Sequence, residues 1–378
     1  MTPMISRRSM LGGSLAGAVA LALPWPSRAA RPWSGYDAAL VIDGCASPGN
    51  SAYDGAEPLP GDAVADLRRS GVTCLNVTVG GVAHESTDAA FVQAVSEISY
   101  WESEIDRHPD VLARSRSVAD LDAAKRERRT GLCYAFQDGT FFETDLARLE
   151  VFHRLGVRVI QPTYNRRNLL GDGCLEPDNA GLSKTGVEAI ERMNALGILV
   201  DLSHCGRKTA ADALRVSKRP VVFSHTGCAA IAEHPRNRTD AELRALADQG
   251  GVAGIYFMPY LRVGYQPTAA EVIRHLEHAV NVAGEDHVAI GSDGGISPEV
   301  VDEAFKQRFA EITRARVEAG IAAPGETETG YLFAADLNTP RRLETLAGML
   351  AERGWSDARI EKVLGLNLRR VYAAVWAT

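Results

Sequence analysis

The chain has 378 residues, of which 46% are hydrophobic and 24% are charged. This balance is typical of a globular protein with a large core and argues against an intrinsically disordered chain. The formal net charge of −7 argues against a nucleic-acid-binding protein, because a basic face would need a matching acidic surplus elsewhere. We therefore expect a small-molecule partner and no nucleic acid.

Residues 1–30 are predicted to be an export signal rather than part of the fold. Arg7 and Arg8 precede an apolar stretch, residues 11–23, and Ser27 and Ala29 are small residues typical of a signal-peptidase site. The pattern resembles a twin-arginine signal and predicts a periplasmic protein, which would stay membrane-associated if the signal were not cleaved. A disordered basic terminus is the alternative. No other segment approaches transmembrane length, so the mature chain is predicted to have no transmembrane helix.

Eight apolar runs bounded by glycine, proline or polar residues have the pattern of buried strands. In chain order they are Ala38 to Asp43, Val72 to Val79, Gly131 to Gln137, Val157 to Thr163, Ile198 to His204, Pro220 to His225, Gly251 to Phe257 and Val288 to Ser292. Amphipathic stretches lie between them, for example Asp145 to Leu155, Lys184 to Leu196, Thr239 to Asp248 and Ala269 to Val282.

This alternation predicts a parallel (β/α)8 TIM-like barrel over residues 31–378, with a C-terminal helical tail. An open doubly wound sheet is the competing architecture, but no GxGxxG turn follows the first strand. Residues 297–337 do not fit the repeat, and we predict an insertion near the mouth of the barrel that could form a lid. The helical pattern after Thr339 is expected to pack against the outside of the barrel.

His204 and His225 each end a predicted strand in the same Ser-His sequence. Parallel barrel strands place such residues at one carboxyl-terminal rim, where these barrels build their active sites. Imidazole is a common zinc ligand, so the pair predicts a metal or catalytic centre. The alternative is that each histidine only ends a strand and hydrogen-bonds a neighbouring loop.

Four further residues follow predicted strands and are candidates for proton transfer or substrate binding. Asp293 ends the eighth strand beside glycines and could steer a proton to and from water, although Asp-Gly also makes ordinary turns. Arg236 has the planar fork that suits a substrate carboxylate, and a solvated surface arginine is the alternative. Tyr164 and Asn165 could donate hydrogen bonds to a substrate carbonyl or only brace their loop.

The six cysteines are expected to be buried free thiols, although export would permit disulfides. Their spacing does not assign pairs, and there is no CxxC motif. Four of them follow predicted strands near the expected rim, where they could pair with one another or contact a metal, namely Cys45, Cys174, Cys205 and Cys228.

Five segments together resemble the renal (membrane) dipeptidase family of zinc peptidases. They run in the family's order from about Asp43 to Val371, and they are residues 200–204, 223–226, 234–237, 290–293 and 363–371. The resemblance implies a (β/α)8 barrel with two zinc ions that cleaves dipeptides. It implies that His204 and His225 bind one zinc, that Asp293 handles the proton of the catalytic water, and that Arg236 receives the substrate's terminal carboxylate.

The other family positions are replaced in this chain. Cys45 and Ser47 stand where the family has a His-x-Asp pair that holds the other zinc, and Gln137 stands where it has a bridging glutamate. Tyr164 takes the place of a histidine that assists catalysis in the animal enzymes, a change compatible with bacterial relatives. A neutral amide is a poor substitute for a bridging anion, so a second ion would be under-compensated in charge.

We therefore predict one zinc ion, held by His204 and His225, with Asp293 and either Cys45 or Asp138 completing the ligand set, and Gln137 as a further candidate ligand. The predicted function is that of a metal-dependent hydrolase, most simply a dipeptidase that cleaves dipeptides or related small amides through a metal-bound hydroxide.

Two alternatives stay open at this point. The chain could be an impaired or inactive periplasmic binding protein that kept the dipeptidase fold. Alternatively, Cys45 could be a nucleophile with His204 or His225 as its base. The resemblance also suggests a homodimer.

Overall fold

The computed structural model describes residues 31–53, 55, 57–82 and 86–376. The predicted export signal, residues 1–30, lies outside the described residues. Eight parallel strands form the centre of the fold; all eight overlap the predicted runs, and six lie entirely within them. They are β1 (Ile42–Asp43), β2 (Cys74–Thr78), β3 (Thr130–Phe136), β4 (Val157–Ile160), β5 (Leu199–Val200), β6 (Val222–Cys228), β7 (Val252–Ile255) and β8 (Val288–Ile290).

The strands pair in chain order and close on themselves. Parallel ladders join β1 to β2, β2 to β3, β3 to β4, β4 to β5, β6 to β7 and β7 to β8. A single parallel bridge, Asp201 to Val222, links β5 to β6. The backbone N–H of Gly44 donates to the carbonyl of Ile290 at 2.9 Å and joins β1 to β8. The predicted (β/α)8 barrel is therefore confirmed.

Helices alternate with the strands and surround them. Their bounds are Gly61–Ser70, Thr87–Arg107, Val118–Glu127, Arg148–Leu155, Lys184–Leu196, Arg207–Val216, Asp240–Asp248, Ala269–Ala283, Glu303–Glu318, Arg342–Glu352, Asp357–Glu361 and Asn367–Trp376. Short 3-10 turns lie at Pro259–Leu261, Glu285–His287 and Ala335–Leu337, and a π-helical turn at Lys362–Leu366. Four short strands outside the barrel ladder are Ala46–Ser47, Leu112–Arg114, Asn237–Arg238 and Gly294–Gly295.

Local sequence signals set both ends of the helix that precedes β5. The helix Lys184–Leu196 begins after Ser183, whose side chain accepts the N–H of Gly186. It ends at Gly197, whose φ of 72° is left-handed and favours glycine. The chain then enters β5 and reaches His204 four residues after that strand ends.

Each of the eight strands contributes at least one buried side chain to the barrel interior. This interior cluster contains Ile42, Cys74, Cys133, Val159, Leu199, Val222, Val252 and Ala289. The last helix closes the cluster with Leu368, Val371, Tyr372, Val375 and Trp376. The Tyr372 hydroxyl donates to Asn76 Oδ1 of β2 at 2.9 Å. The expectation that the whole tail packs outside the barrel is therefore wrong for this helix, because its apolar face is needed to cover the open end of the interior.

A buried ion pair strengthens the seam between β1 and β8. Asp43 accepts the N–H of Ser292 at 2.7 Å and its hydroxyl at 2.6 Å. Arg342 donates to the same Ser292 hydroxyl at 2.9 Å and lies 3.3 Å from Asp43 Oδ2. This network fixes the two strand ends that carry Cys45 and Asp293.

Replacing Arg342 by methionine should lower the free energy of unfolding by about 3–5 kcal/mol, because the buried Asp43 carboxylate loses its charged partner. The matched control is Arg353→Met, which breaks a partly exposed ion pair with Glu277 and should cost less than about 1 kcal/mol. Urea unfolding of both variants measures the difference. Equal losses would contradict the structural role given to this pair.

Candidate active site

Three ligand-bearing side chains meet at the carboxyl-terminal rim of the barrel. Cys45 follows β1, His225 lies in β6 and Asp293 follows β8, and one donor atom of each lies within 4.8 Å of the others. The Cys45 thiol donates to Asp293 Oδ1 at 3.4 Å. Gly291 lets β8 lie close to the backbone of β6 beside this cluster, because a Cβ there would stand 1.8 Å from the carbonyl oxygen of Ser224.

His204 is brought to the same place by β5. Its Nε2 lies 2.9 Å from Nε2 of His225. Its Nδ1 faces Asn165 Oδ1 at 2.6 Å, and the amide nitrogen of Asn165 donates to the carbonyl of Ile321 at 2.7 Å. Because the amide oxygen can only accept, Nδ1 of His204 carries the proton and Nε2 carries a lone pair. Asn165 therefore positions His204, and its polar atoms are engaged within the protein rather than directed at a substrate.

A second chain of hydrogen bonds orients His225. The Ser224 hydroxyl lies 2.7 Å from its Nδ1 and donates to Asp201 Oδ2 at 2.5 Å. Asp201 also accepts the hydroxyl of Ser203 at 2.6 Å. Because the Ser224 hydroxyl donates its hydrogen bond to Asp201, its oxygen accepts the N–H of His225 Nδ1. Nε2 of His225 therefore also carries a lone pair. Asp201 was not singled out as a site residue by the sequence, although it lies three residues before His204.

The two imidazole lone pairs face each other, and this arrangement favours a cation between or beside them. Burial and the Arg236 guanidinium hold the pKa of both imidazoles well below the usual range, so a proton is a poor occupant. Nitrogen, thiolate sulfur and carboxylate oxygen are the donors that zinc takes in proteins. The donor atoms of His204, His225 and Cys45 therefore suit zinc, and the Asp293 carboxylate lies beside them.

Breaking the Ser224 link should weaken the metal site without removing a ligand. We expect Ser224→Ala to lower zinc affinity by about 10- to 100-fold, because His225 loses the partner that fixes its ring and tautomer. Competition with a chromogenic chelator measures the affinity. The control is Ser103→Ala, an exposed helical serine whose hydroxyl donates only to the carbonyl of Ser99. Unchanged affinity in Ser224→Ala would contradict the relay.

Burial and the neighbouring carboxylates raise the pKa of Cys45 well above the usual range, and burial raises the pKa of Asp293 to about 6. The Cys45 thiol donates to a carboxylate rather than to an imidazole. This arrangement does not form the thiol–imidazole pair of a cysteine nucleophile, because neither His204 nor His225 accepts the thiol's hydrogen bond. A bound cation would favour the thiolate and carboxylate forms of both groups.

Gln137 lies at the end of β3 beside Cys45. As placed, its amide nitrogen donates to Cys45 Sγ at 3.3 Å and to Thr78 Oγ1 at 2.9 Å. Gln137 is thus placed as a hydrogen-bond donor to the Cys45 sulfur. Its role as a metal ligand stays a prediction. Asp138 is directed away from the site, since its Oδ1 accepts the N–H of Gly139 and the amide of Asn168. Asp138 therefore does not complete the ligand set.

A cavity of about 140 Å³ opens beside the cluster. Its lining residues are Gln137, Tyr164, Asn165, His204, Arg236, Met258, Tyr260, Asp293, Arg316 and Leu332. Arg236 is 1% exposed, donates to the carbonyl of Ser203, and lies under the Tyr256 ring at 6.0 Å. Its buried charge makes it the natural partner for an anionic group in the cavity. Arg236 is therefore placed where the sequence predicted it.

Tyr164 stacks on His204 with ring centroids 4.1 Å apart, and its hydroxyl accepts from Arg316 at 3.2 Å. Arg316 belongs to the helix Glu303–Glu318 of the predicted insertion, and Glu326 holds it through two bonds of 2.7 and 2.9 Å. Arg316 was not predicted from the sequence, because it is one of several arginines in a polar segment without a recognisable motif. The insertion thus contributes a second cation to the cavity wall.

All six cysteines are free thiols in the structure, and all except the partly buried Cys174 are buried as expected. Cys174 donates to Asn165 Oδ1 at 3.3 Å, and Cys205 accepts from Thr163 at 3.3 Å. Over the described residues, no helix combines the length and apolar character that crossing a bilayer requires.

Comparison with known proteins agrees with this fold. Residues 62–316 match the model of the membrane dipeptidase family, peptidase family M19. The chain belongs to this family, as its sequence motifs indicated. It is 30% identical over 273 residues to a dipeptidase, verJ, from Clonostachys rogersoniana, a match that covers 72% of this chain and 62% of that protein. The chain thus spans less than two thirds of the length of this relative.

Solved structures share the architecture. A crystal structure of an amidohydrolase from Pseudomonas aeruginosa has 31% sequence identity and a TM-score of 0.77, covering 91% of this chain and 98% of that one. The probable dipeptidase PvdM from the same species has 19% identity and a TM-score of 0.74, covering 90% of this chain and 96% of that one. This second likeness concerns the fold alone.

Proposed function

We propose that the protein is a metal-dependent hydrolase that cleaves dipeptides or related small amides. The convergence of Cys45, His225 and Asp293, with His204 against His225, is the observation that carries the proposal. Membership of a family of metallopeptidases and likeness to a named dipeptidase and a named amidohydrolase support it.

In this proposal, different residues around the cavity bind the substrate and transfer the proton. Arg236 would bind the terminal carboxylate of the substrate, and Tyr164 and Arg316 would bound the space for the rest of it. Asp293 would take a proton from the attacking water and return it to the leaving amine. When bound, the ion supplies Lewis acidity and lowers the pKa of water toward about 7. Asn165 and Ser224 hold the two imidazoles in the required tautomer.

We further propose one zinc ion rather than two. Cys45 and Gln137 replace ligands of the other family site, and Gln137 carries no charge to offset a second dication. Ser47, which replaces a ligand aspartate, is exposed and pairs through its backbone with Gly295. The remaining anionic groups can balance one ion.

The experiment supplies the purified protein with one equivalent of zinc and measures hydrolysis of a panel of L,L and L,D dipeptides. We expect turnover that a chelator abolishes and that zinc restores. In Arg236→Lys, KM should rise more than kcat falls, because lysine lacks the planar fork. Dipeptide binding without turnover, unaffected by the chelator, would instead favour a binding protein that kept the fold.

We also propose that the protein acts in the periplasm, because residues 1–30 contain paired arginines followed by an apolar stretch, as in a twin-arginine export signal. Replacing both Arg7 and Arg8 by lysine should retain the protein in the cytoplasm. Fractionation of cells that express each form measures this, and equal export of the two forms would contradict a twin-arginine route.

A further inference from the structure

A second cavity lies at the amino-terminal end of the barrel, opposite the candidate active site. Its volume is about 260 Å³, larger than that of the active-site cavity. Val72, Thr73 and Thr130, at the starts of β2 and β3, form part of its wall. We call it the amino-end pocket and define it by its charged lining residues, which are Asp37, Arg68, Lys125, Arg128, Arg129 and Arg341.

The amino-end pocket concentrates positive charge in an acidic protein. Five of its six charged lining residues are cations, whereas the whole chain carries a net charge of −7. Three of the arginines have carboxylate partners. Arg68 pairs with Asp110, Arg129 with Glu127, and Arg341 with both Asp37 and Glu344. The side chains of Asp110, Glu127 and Asp37 are 63%, 51% and 82% exposed, so an incoming anion can compete with these weak pairs, whereas Glu344 is largely buried and keeps Arg341 in place.

The remaining two cations have no carboxylate partner within the described part of the chain. Lys125 Nζ donates only to the backbone carbonyl of Asp37, at 2.8 Å, and burial lowers the pKa of its ammonium group. The Arg128 side chain has no hydrogen-bond or ion-pair partner among the described residues. In addition, Nε of Arg129 is buried without an acceptor. The amino-end pocket therefore presents one buried N–H donor and two cations that the protein's own carboxylates do not neutralise.

The backbone at Arg128 is also unusual. This residue caps the helix Val118–Glu127 with φ 53° and ψ 42°, a left-handed conformation that glycine or asparagine normally takes. A long cationic side chain at such a position costs stability without any compensating contact in the protein. A ligand contact would supply the compensation.

We propose that the amino-end pocket binds a phosphate group. A phosphate dianion offers several acceptor oxygens, which matches a pocket whose free groups are an ammonium, a guanidinium and a lone N–H donor. The phosphate could belong to a free phosphorylated molecule or to a lipid headgroup, since both present the same chemistry. This site is independent of the proposed hydrolase reaction, because none of its residues touches the active-site cavity.

The test compares the protein with a Lys125→Gln, Arg128→Gly double variant by calorimetric titration with inorganic phosphate at constant ionic strength. Glycine relieves the left-handed strain at Arg128, so the variant should remain folded. Arg126→Gln is the matched control, because it removes a cation from the same helix but lies outside the amino-end pocket. We expect the double variant to bind phosphate at least about tenfold more weakly and the control to bind normally.

Flotation with vesicles of phosphatidylglycerol and phosphatidylcholine identifies the source of the phosphate. If the unmodified protein binds inorganic phosphate and the double variant does not, the result supports a free phosphorylated ligand. If the unmodified protein and Arg126→Gln bind the vesicles and the double variant does not, the result supports a lipid headgroup. Absence of binding in both assays, or equal loss in Arg126→Gln, would overturn the proposal and leave these cations as complements of the helix dipole. Dipeptide turnover should be unchanged in both variants.

Discussion

Replacing Asp293 by asparagine should reduce kcat/KM for dipeptide hydrolysis by about 10²- to 10⁴-fold, the range that a positioned proton-transfer group contributes. Asparagine keeps the size of the side chain and tolerates the left-handed φ of 59° at this position. It cannot accept the proton that the carboxylate takes. The loss should therefore appear mainly in kcat, with the thermal unfolding midpoint of the protein little changed.

Asp178→Asn is the matched control for this variant. Asp178 is exposed and does not line the active-site cavity, so the same chemical change there should leave kcat/KM unaltered. Activity of Asp293→Asn close to that of the unmodified protein would show that another group moves the proton.

Replacing His225 by alanine should abolish both zinc binding and turnover. His225 is the residue that belongs to the Cys45 and Asp293 cluster and also faces His204. Changes to outer partners of metal ligands already cost about 10- to 100-fold in affinity, so loss of the ligand itself should cost at least hundredfold. Zinc affinity is measured by chelator competition, and turnover on the best dipeptide of the panel.

His278→Ala is the control, since His278 pairs with Asp240 at 2.7 Å and lies outside the active-site cavity. It should bind zinc and hydrolyse dipeptides normally. Comparing the two variants in metal-free form by thermal unfolding separates loss of the ion from loss of the fold. Normal zinc binding by a folded His225→Ala would remove this histidine from the metal site.

The fold was predictable because each barrel strand leaves a local signal. Buried parallel strands read as short apolar runs, and the helices between them show amphipathic spacing and glycine ends such as Gly197. The position of the last helix was not predictable in the same way. Its apolar face fits the outside or the end of a barrel equally well, and only the interior cluster shows that Tyr372 and Trp376 close the end.

Part of the candidate site was likewise predictable from the sequence, and part was not. His204, His225 and Asp293 stand at strand ends, so barrel topology alone predicts that they meet. The family resemblance adds Arg236. Contacts between residues far apart in sequence leave no such signal, as with Asp43 and Arg342, which are 299 positions apart. The direction of a side chain is likewise invisible, so Asn165 turned out to hold His204, and Asp138 to face its own loop.

The number of metal ions tests the central claim most directly. The protein is purified from a host that exports it, without added metal or chelator, and its zinc content is measured by elemental analysis against protein concentration. A single cation held by His204, His225 and Cys45, with the Asp293 carboxylate beside it, predicts one zinc per chain, falling to none in His225→Ala. Two ions per chain, or none in a protein that still hydrolyses dipeptides, would contradict it.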